Sequence, residues 1–178
     1  MNVIDAIRNR RSVRKYAATP IPAEVLQRMK DALRLAPSAC NIQPWRFVLV
    51  TDSTLRKEIA KAAGDQGFLA EAPVVVIGVG FPDEAYQHMG GYGNSVDVDI
   101  AIAIDHLTLA AAAEGLGTCW IGAFSEEPVK KLINAKANTK IVAMTPLGYP
   151  ADPAMIHPVE ASRRKKEGEV FLMNRFPG

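Results

Sequence analysis

Pro73-Val74-Val75-Val76-Ile77-Gly78-Val79 is a near-continuous apolar run rich in β-branched residues, the pattern of a strand buried on both faces. Its end, Gly78-Val79-Gly80, could open a dinucleotide loop. The third glycine of such a loop is missing, however, and Asp83 follows too soon to meet a ribose. The fragment therefore reads as the end of a strand. No crossover helix follows at once. Residues 82–96 are polar, are broken by Pro82, Gly90, Gly91 and Gly93, and carry Tyr86, His88, Met89 and Tyr92. Two readings stand for this stretch, a mobile flap over a pocket and a plain solvent loop. Strands and helices thus mix without the regular βαβ alternation of a doubly wound sheet, and the fold class is α+β.

Outward from this run the pattern is legible in both directions. Asp97 to Leu116 is the longest helix, with Asp97 and Asp99 in the turn where the helix dipole favours negative charge. Ile100, Ile102, Ile104, Leu107, Leu109 and Ala110 to Ala113 make it apolar nearly all round, which implies burial on all sides. A domain of this size seldom encloses such a helix alone, so a subunit interface is expected to cover one face. Upstream, residues 2–9 form a short helix. Thr19-Pro20-Ile21-Pro22 opens a second, with Pro22 in its first turn, a stripe of Val25, Leu26, Met29, Leu33 and Ala36, and Pro37 at its end. Ser38-Ala39-Cys40-Asn41-Ile42-Gln43-Pro44 is a loop dense in hydrogen-bonding groups, Trp45 to Val50 a strand, and residues 54–63 a helix capped by Ser53 or Asp52. Downstream, Thr118 to Phe124 reads as strand and turn, Ser125 caps a short helix through Ile133, and Ile141 to Leu147 is a further strand closed by Gly148-Tyr149-Pro150.

The chain has 178 residues, 48% hydrophobic and 22% charged, which reads as one soluble globular domain. No apolar run approaches the ~20 residues that span a bilayer, and Met1-Asn2-Val3-Ile4-Asp5 lacks the basic start of a signal peptide. The expected location is the cytoplasm, with no membrane partner. Cys40 and Cys119 are too few for a disulfide scaffold and are expected to be buried thiols in a reducing compartment. Three scattered histidines give no zinc-ligand spacing, so no metal site is expected.

The chemistry concentrates in Arg10-Arg11-Ser12-Val13-Arg14, three guanidinium groups and a hydroxyl within five residues. A guanidinium donates two parallel hydrogen bonds to an oxyanion, so it suits phosphate. A second basic run is Arg163-Arg164-Lys165-Lys166. With Arg8 and Lys15, the two runs hold nine of the 21 Lys and Arg residues, yet the net charge is only +2. Positive charge is local, which fits a small phosphorylated ligand better than a nucleic acid. There is no G-x-S-x-G elbow, Walker A loop or H-E-x-x-H motif, and His88, His106 and His157 lack patterned partners. Anion-binding groups without a self-sufficient catalytic side chain point to a cofactor that brings its own reactivity.

Four segments in register resemble the FMN-dependent nitroreductase family: Arg10 to Tyr16, Ala36 to Phe47, Gly115 to Phe124, and Pro146-Leu147-Gly148-Tyr149-Pro150 with Arg163-Arg164 beyond. Glu71-Ala72-Pro73 before the Val-rich strand also matches. The resemblance implies a single nitroreductase-like domain over 1–178, with a central, mostly antiparallel sheet flanked by helices, in an intertwined homodimer with FMN at the interface. It implies that Arg10, Ser12 and Arg164, with Arg163 as neighbour, hold the FMN phosphate, and that Arg14 matches the cationic position near the flavin pyrimidine. Arg11 would reach the ribityl chain or the ring. Pro37, Ser38, Ala39 and Asn41 match a loop that approaches FMN from the partner subunit, with Gln43 close by. Ile121-Gly122-Ala123 matches the segment whose backbone N–H groups meet flavin N5 and O4, and Gln66 stands at a position that often meets the flavin. The Asn and Lys that some larger members use near the ring are not recognisable here.

The implied reaction is a ping-pong transfer of electrons from NADH or NADPH to a nitroaromatic, quinone or similar electron-poor substrate, with Phe124, Tyr86 and Tyr92 as candidates for the stacking slot. The rivals are a flavoprotein of the same fold with other chemistry, such as dehalogenation or flavin supply, an FMN-binding protein without turnover, and a basic nucleic-acid-binding protein. Against the last stand the modest net charge and the lack of aromatics interleaved with the basic residues.

Overall fold

The structure is a computed structural model that describes residues 1–176. Eleven regular elements follow one another among them: α1 (Val3–Asn9), α2 (Ala23–Arg34), β1 (Trp45–Val50), α3 (Ser53–Ala62), α4 (Phe68–Glu71), β2 (Val74–Gly80), α5 (Val96–Ala113), β3 (Gly117–Thr118), α6 (Glu126–Leu132), β4 (Lys140–Gly148) and α7 (Glu167–Val170). The strands form one antiparallel sheet in the order β1-β2-β4-β3. Trp45 to Val50 pair with Gly80 to Val75, and the register of β2 on β4 slips between Gly78 and Val79. None of the described helices is long and apolar enough to cross a membrane.

The alternation of side chains along each strand explains two cores. Trp45, Val74, Val76 and Leu147 face one side and pack against α2 and α5 through Met29, Leu33, Ile100, Ile104 and Leu107. Val50, Val75, Ile77, Ile141 and Met144 face the other and pack against Ile59, Leu69 and Val129 of α3, α4 and α6. Both faces of β2 are covered, as its unbroken apolar sequence requires. Gly80 lets α5 settle directly on this strand: a Cβ there would run into Val96 Cγ2 and sit 2.9 Å from Ile100 Cδ1.

Helix α5 is not buried on every side within one chain. Val98 is exposed, and Ile102, Leu109 and Ala110 are half-buried. Beside this face, Val3, Ile4 and Ile7 of α1 lie open to solvent. The two faces together form the apolar surface for which a subunit interface is expected.

Several boundaries differ from the sequence reading. Pro22 stands just before α2 rather than inside it, and the helix stops at Arg34. Helix α5 ends at Ala113, where Leu116 N–H and Gly115 N–H close back on the carbonyls of Ala111 and Ala112. Of the stretch Thr118 to Phe124, Thr118 alone lies in a regular strand, with Ile121 rejoining β4 through a bridge to Met144. Cys119 N–H donates instead to Thr145 Oγ1, which breaks the ladder. Asp52 caps α3, whereas Ser125 occupies the cap position of α6 without a side-chain bond. Cys119 is buried as expected, but Cys40 is exposed, in the surface loop that follows α2, where its φ is 50°.

Candidate functional site

Helix α1 ends at Asn9; the N–H of Arg10, just beyond it, still bonds to Ala6 C=O, and the chain then turns extended. Val13 N–H donates to Thr118 C=O at 2.9 Å and fastens the segment to β3. Tyr16, buried, donates its hydroxyl to Val13 C=O at 2.7 Å, while Glu71 Oε2 accepts Tyr16 N–H at 3.1 Å. The extended backbone alternates, so Val13 points inward and Ser12 and Arg14 point outward. Burial pushes the Tyr16 hydroxyl far above its usual range, so it stays protonated and serves as a donor.

The C-terminal region returns to the same place. Val159 N–H bonds to Arg8 C=O at 2.9 Å, and a short turn at Ala161–Arg163 presents the second basic run. Arg10, Arg11, Ser12, Arg14, Arg163 and Arg164 thereby line one cavity of about 550 Å³, closed by Val13, Met155, His157, Val159 and Glu160. None of the five guanidinium groups forms a salt bridge among the described residues. Arg11 Nη1 donates to Arg10 C=O, but Nη2 is buried without a partner. Burial, then Arg10, Arg164 and Arg163, push the Arg11 guanidinium below its ordinary value, and Glu160 opposes them. Buried donors are normally paired, so Arg11 Nη2 is a donor suited to an anionic acceptor entering this cavity. His157 and Glu160 carried no signal in the sequence beyond their nearness to Arg163.

Ile121, Gly122 and Ala123 are held in a second place. Ile121 exchanges backbone bonds with Met144 at 2.8 and 3.1 Å. Gly122 and Ala123 are exposed, and their N–H groups carry no hydrogen bond among the described residues. Gln66 Nε2 donates to Ala63 C=O at 2.7 Å and Ala123 C=O at 3.1 Å. Its amide nitrogen is therefore committed to holding this segment.

Pro37, Ser38, Ala39, Asn41 and Gln43 do not join the arginine cavity of their own chain. They form a separate loop in which Ser38 Oγ accepts Gln43 N–H at 2.9 Å and Gln43 Nε2 donates to Asn41 Oδ1 at 3.2 Å. Cys40, Asn41 and Gln43 have φ of 50°, 56° and 57°. Each such residue costs about 1 kcal/mol or more, so the loop persists only because its surroundings hold it. Of the aromatic residues considered for stacking, Phe124 is half-buried, while Tyr86 and Tyr92 are exposed.

An antiparallel sheet between two helical layers, with a guanidinium-lined cavity beside its short edge strand, makes this an α+β protein with a cationic pocket suited to an oxyanion. The chain belongs to the Nitroreductase family, whose sequence profile matches residues 7–73 and 62–149. An FMN reductase [NAD(P)H] of Bacillus subtilis (strain 168) is 30% identical over 186 residues, covering 96% of this chain and 74% of that protein. A 5,6-dimethylbenzimidazole synthase of Rhodospirillum rubrum is 30% identical over 181 residues, covering 87% of this chain and 83% of that one. The solved NADPH:FMN oxidoreductase from Vibrio harveyi complexed with NAD+ superposes with a TM-score of 0.85 at 27% identity, over all of this chain and 79% of that one.

Proposed function

We propose that this protein is an FMN-dependent oxidoreductase that takes electrons from NADH or NADPH and passes them to an electron-poor acceptor, a nitroaromatic or quinone, in a ping-pong cycle. The observation that carries the reading is the convergence of both arginine runs on one cavity whose buried Arg11 Nη2 has no partner. A phosphate monoester answers that geometry, and the FMN phosphate fits the residues present. Arg10, Ser12, Arg163 and Arg164 would hold it, with Arg11 completing the cradle. Charge-assisted hydrogen bonds contribute about 1.5–3 kcal/mol each, so several together retain a cofactor.

Arg14, exposed and lining the cavity, would set positive charge beside the ring, where it favours added electron density. The free N–H groups of Gly122 and Ala123 would donate to the ring edge, steadied by Gln66. The loop Pro37 to Gln43 would reach the ring from a second copy of the chain, which makes the working form a homodimer joined over the faces of α1 and α5. The chemistry that FMN supplies when bound is acceptance of a hydride and its delivery to the second substrate. The chain's own residues position, charge and dry the site, and no side chain is required as acid or base.

The likeness to a 5,6-dimethylbenzimidazole synthase supports a second reading, in which the same site carries a different flavin reaction. The visible spectrum of the purified protein, before and after anaerobic addition of NADH or NADPH, tests the first. A flavin spectrum that bleaches and recovers with a nitroaromatic or quinone supports it. Reduction without transfer to any acceptor in a panel favours the second, and a colourless protein that takes up no FMN rejects both.

A further inference from the structure

Asp99 is 2% exposed, a carboxylate buried in the first turn of α5. Burying such a charge is costly unless donors meet it. Two do, and they come from different loops. Oδ1 accepts Ala39 N–H at 2.9 Å, sixty positions away in the chain. Oδ2 accepts the Ser95 hydroxyl at 2.6 Å. Ser95, itself buried, donates its N–H to Tyr86 C=O at 2.9 Å. No cation forms a salt bridge with Asp99 among the described residues, so these donors and the start of the helix are its compensation.

One carboxylate thus joins the strained loop Pro37 to Gln43 to the loop of residues 82–95, across the end of the helix that carries the open apolar face. Capping α5 alone would not require a bond to Ala39. We infer that Asp99 is a positioning residue for the cofactor: it fixes the backbone of Pro37 to Gln43 in the conformation that meets the ring in the neighbouring subunit, and ties residues 82–95 to the same point. This rests on the placement of that loop at the flavin given above.

The test compares wild type with Asp99→Ala and Asp99→Asn. FMN release from the holoprotein on dilution is followed by the recovery of flavin fluorescence. Hydrogen exchange of the backbone over residues 37–44 is measured with and without FMN. D99A removes a charge-assisted bond and is expected to release FMN about tenfold faster, with faster exchange over 37–44. D99N is expected to stay near wild type in both, because its Oδ1 still accepts from Ala39 and its Nδ2 donates to the rotated Ser95 hydroxyl. A folded D99A with wild-type release and exchange would overturn the inference, as would D99N behaving like D99A. If D99A does not fold, Ser95→Ala loosens the same carboxylate, and wild-type release and exchange in that variant would overturn it equally. Exchange over 37–44 that is indifferent to FMN in the wild type would instead refute the placement of the loop on the flavin, and the inference with it.

Discussion

Ser12 and Thr118 form an isolated parallel bridge, and through it Val13 N–H meets Thr118 C=O at 2.9 Å. The bridge fastens the arginine cluster to the shortest strand of the sheet. It depends on close approach, since a Cβ at Gly117 would lie 2.8 Å from Val13 Cβ. Gly117→Ala is therefore expected to push the cluster outward and to destabilise the fold by roughly 1–3 kcal/mol. Thermal unfolding with and without FMN checks this. The FMN-bound form should lose more than the free form, because the displaced residues are those that face the phosphate.

Arg11 separates binding from folding. Its Nη2 is buried without a partner, and Arg10, Arg163 and Arg164 crowd it with like charge. Arg11→Ala should leave the FMN-free protein as stable as wild type or more so, because an unpaired donor and a repulsion are both removed. FMN affinity should fall about tenfold for the loss of a charged donor. Melting curves of the free protein, together with an FMN titration, give the two signs. A free protein that melts well below wild type would show that Arg11 supports the fold rather than the ligand.

The strands were legible where apolar runs are long. Trp45 to Val50 is found as read, and β2 lies one residue from its expected limits. What escaped depends on distant pairings. The order β1-β2-β4-β3 rests on ladders between residues tens of positions apart. Helix α4, four residues long, is too short to show a period. The candidate site residues were recognisable by type, and the meeting of Arg10 and Ser12 with Arg164 was implied by the resemblance alone: Val159 reaches Arg8 through one backbone bond that no local pattern announces. Asp99 could be read as a favourable charge at a helix start, and its bond to Ala39 exists only in the folded chain.

The Arg28–Glu114 pair sets a pH dependence. Arg28 Nε and Nη2 donate to the two oxygens of Glu114 at 2.6 and 2.9 Å, joining α2 to the end of α5. The bond to Arg28 lowers the Glu114 carboxyl below its ordinary value, against a smaller effect of burial. A carboxylate whose pKa is depressed by folding stabilises the native state fully above its unfolded value, about 4.3, and loses that contribution as pH falls through the lower folded value. The sign therefore gives wild type an advantage over Glu114→Gln at neutral pH that closes in acid. Melting temperatures of both across an acid series check it; a gap that widens as pH falls would contradict the linkage. The pair is partly exposed, so the effect is small and weakens with salt.

Ile7 carries the sharpest test of the proposed homodimer. It is 52% exposed on α1, beside Val3 and Ile4 and near the open face of α5. A two-fold interface counts each substitution twice. Covering the exposed half of such a side chain contributes half of the roughly 1.5–3 kcal/mol of full burial, so Ile7→Asp, counted twice, should weaken the dimer at least about tenfold. Sedimentation at micromolar concentration should then show monomers of unchanged secondary structure. FMN should be lost along with the partner, because the loop Pro37 to Gln43 would come from the other chain. A monomeric variant that keeps FMN with wild-type affinity would mean that one chain completes the site, and the cofactor would then rest on the arginine cavity and the Gly122 segment alone.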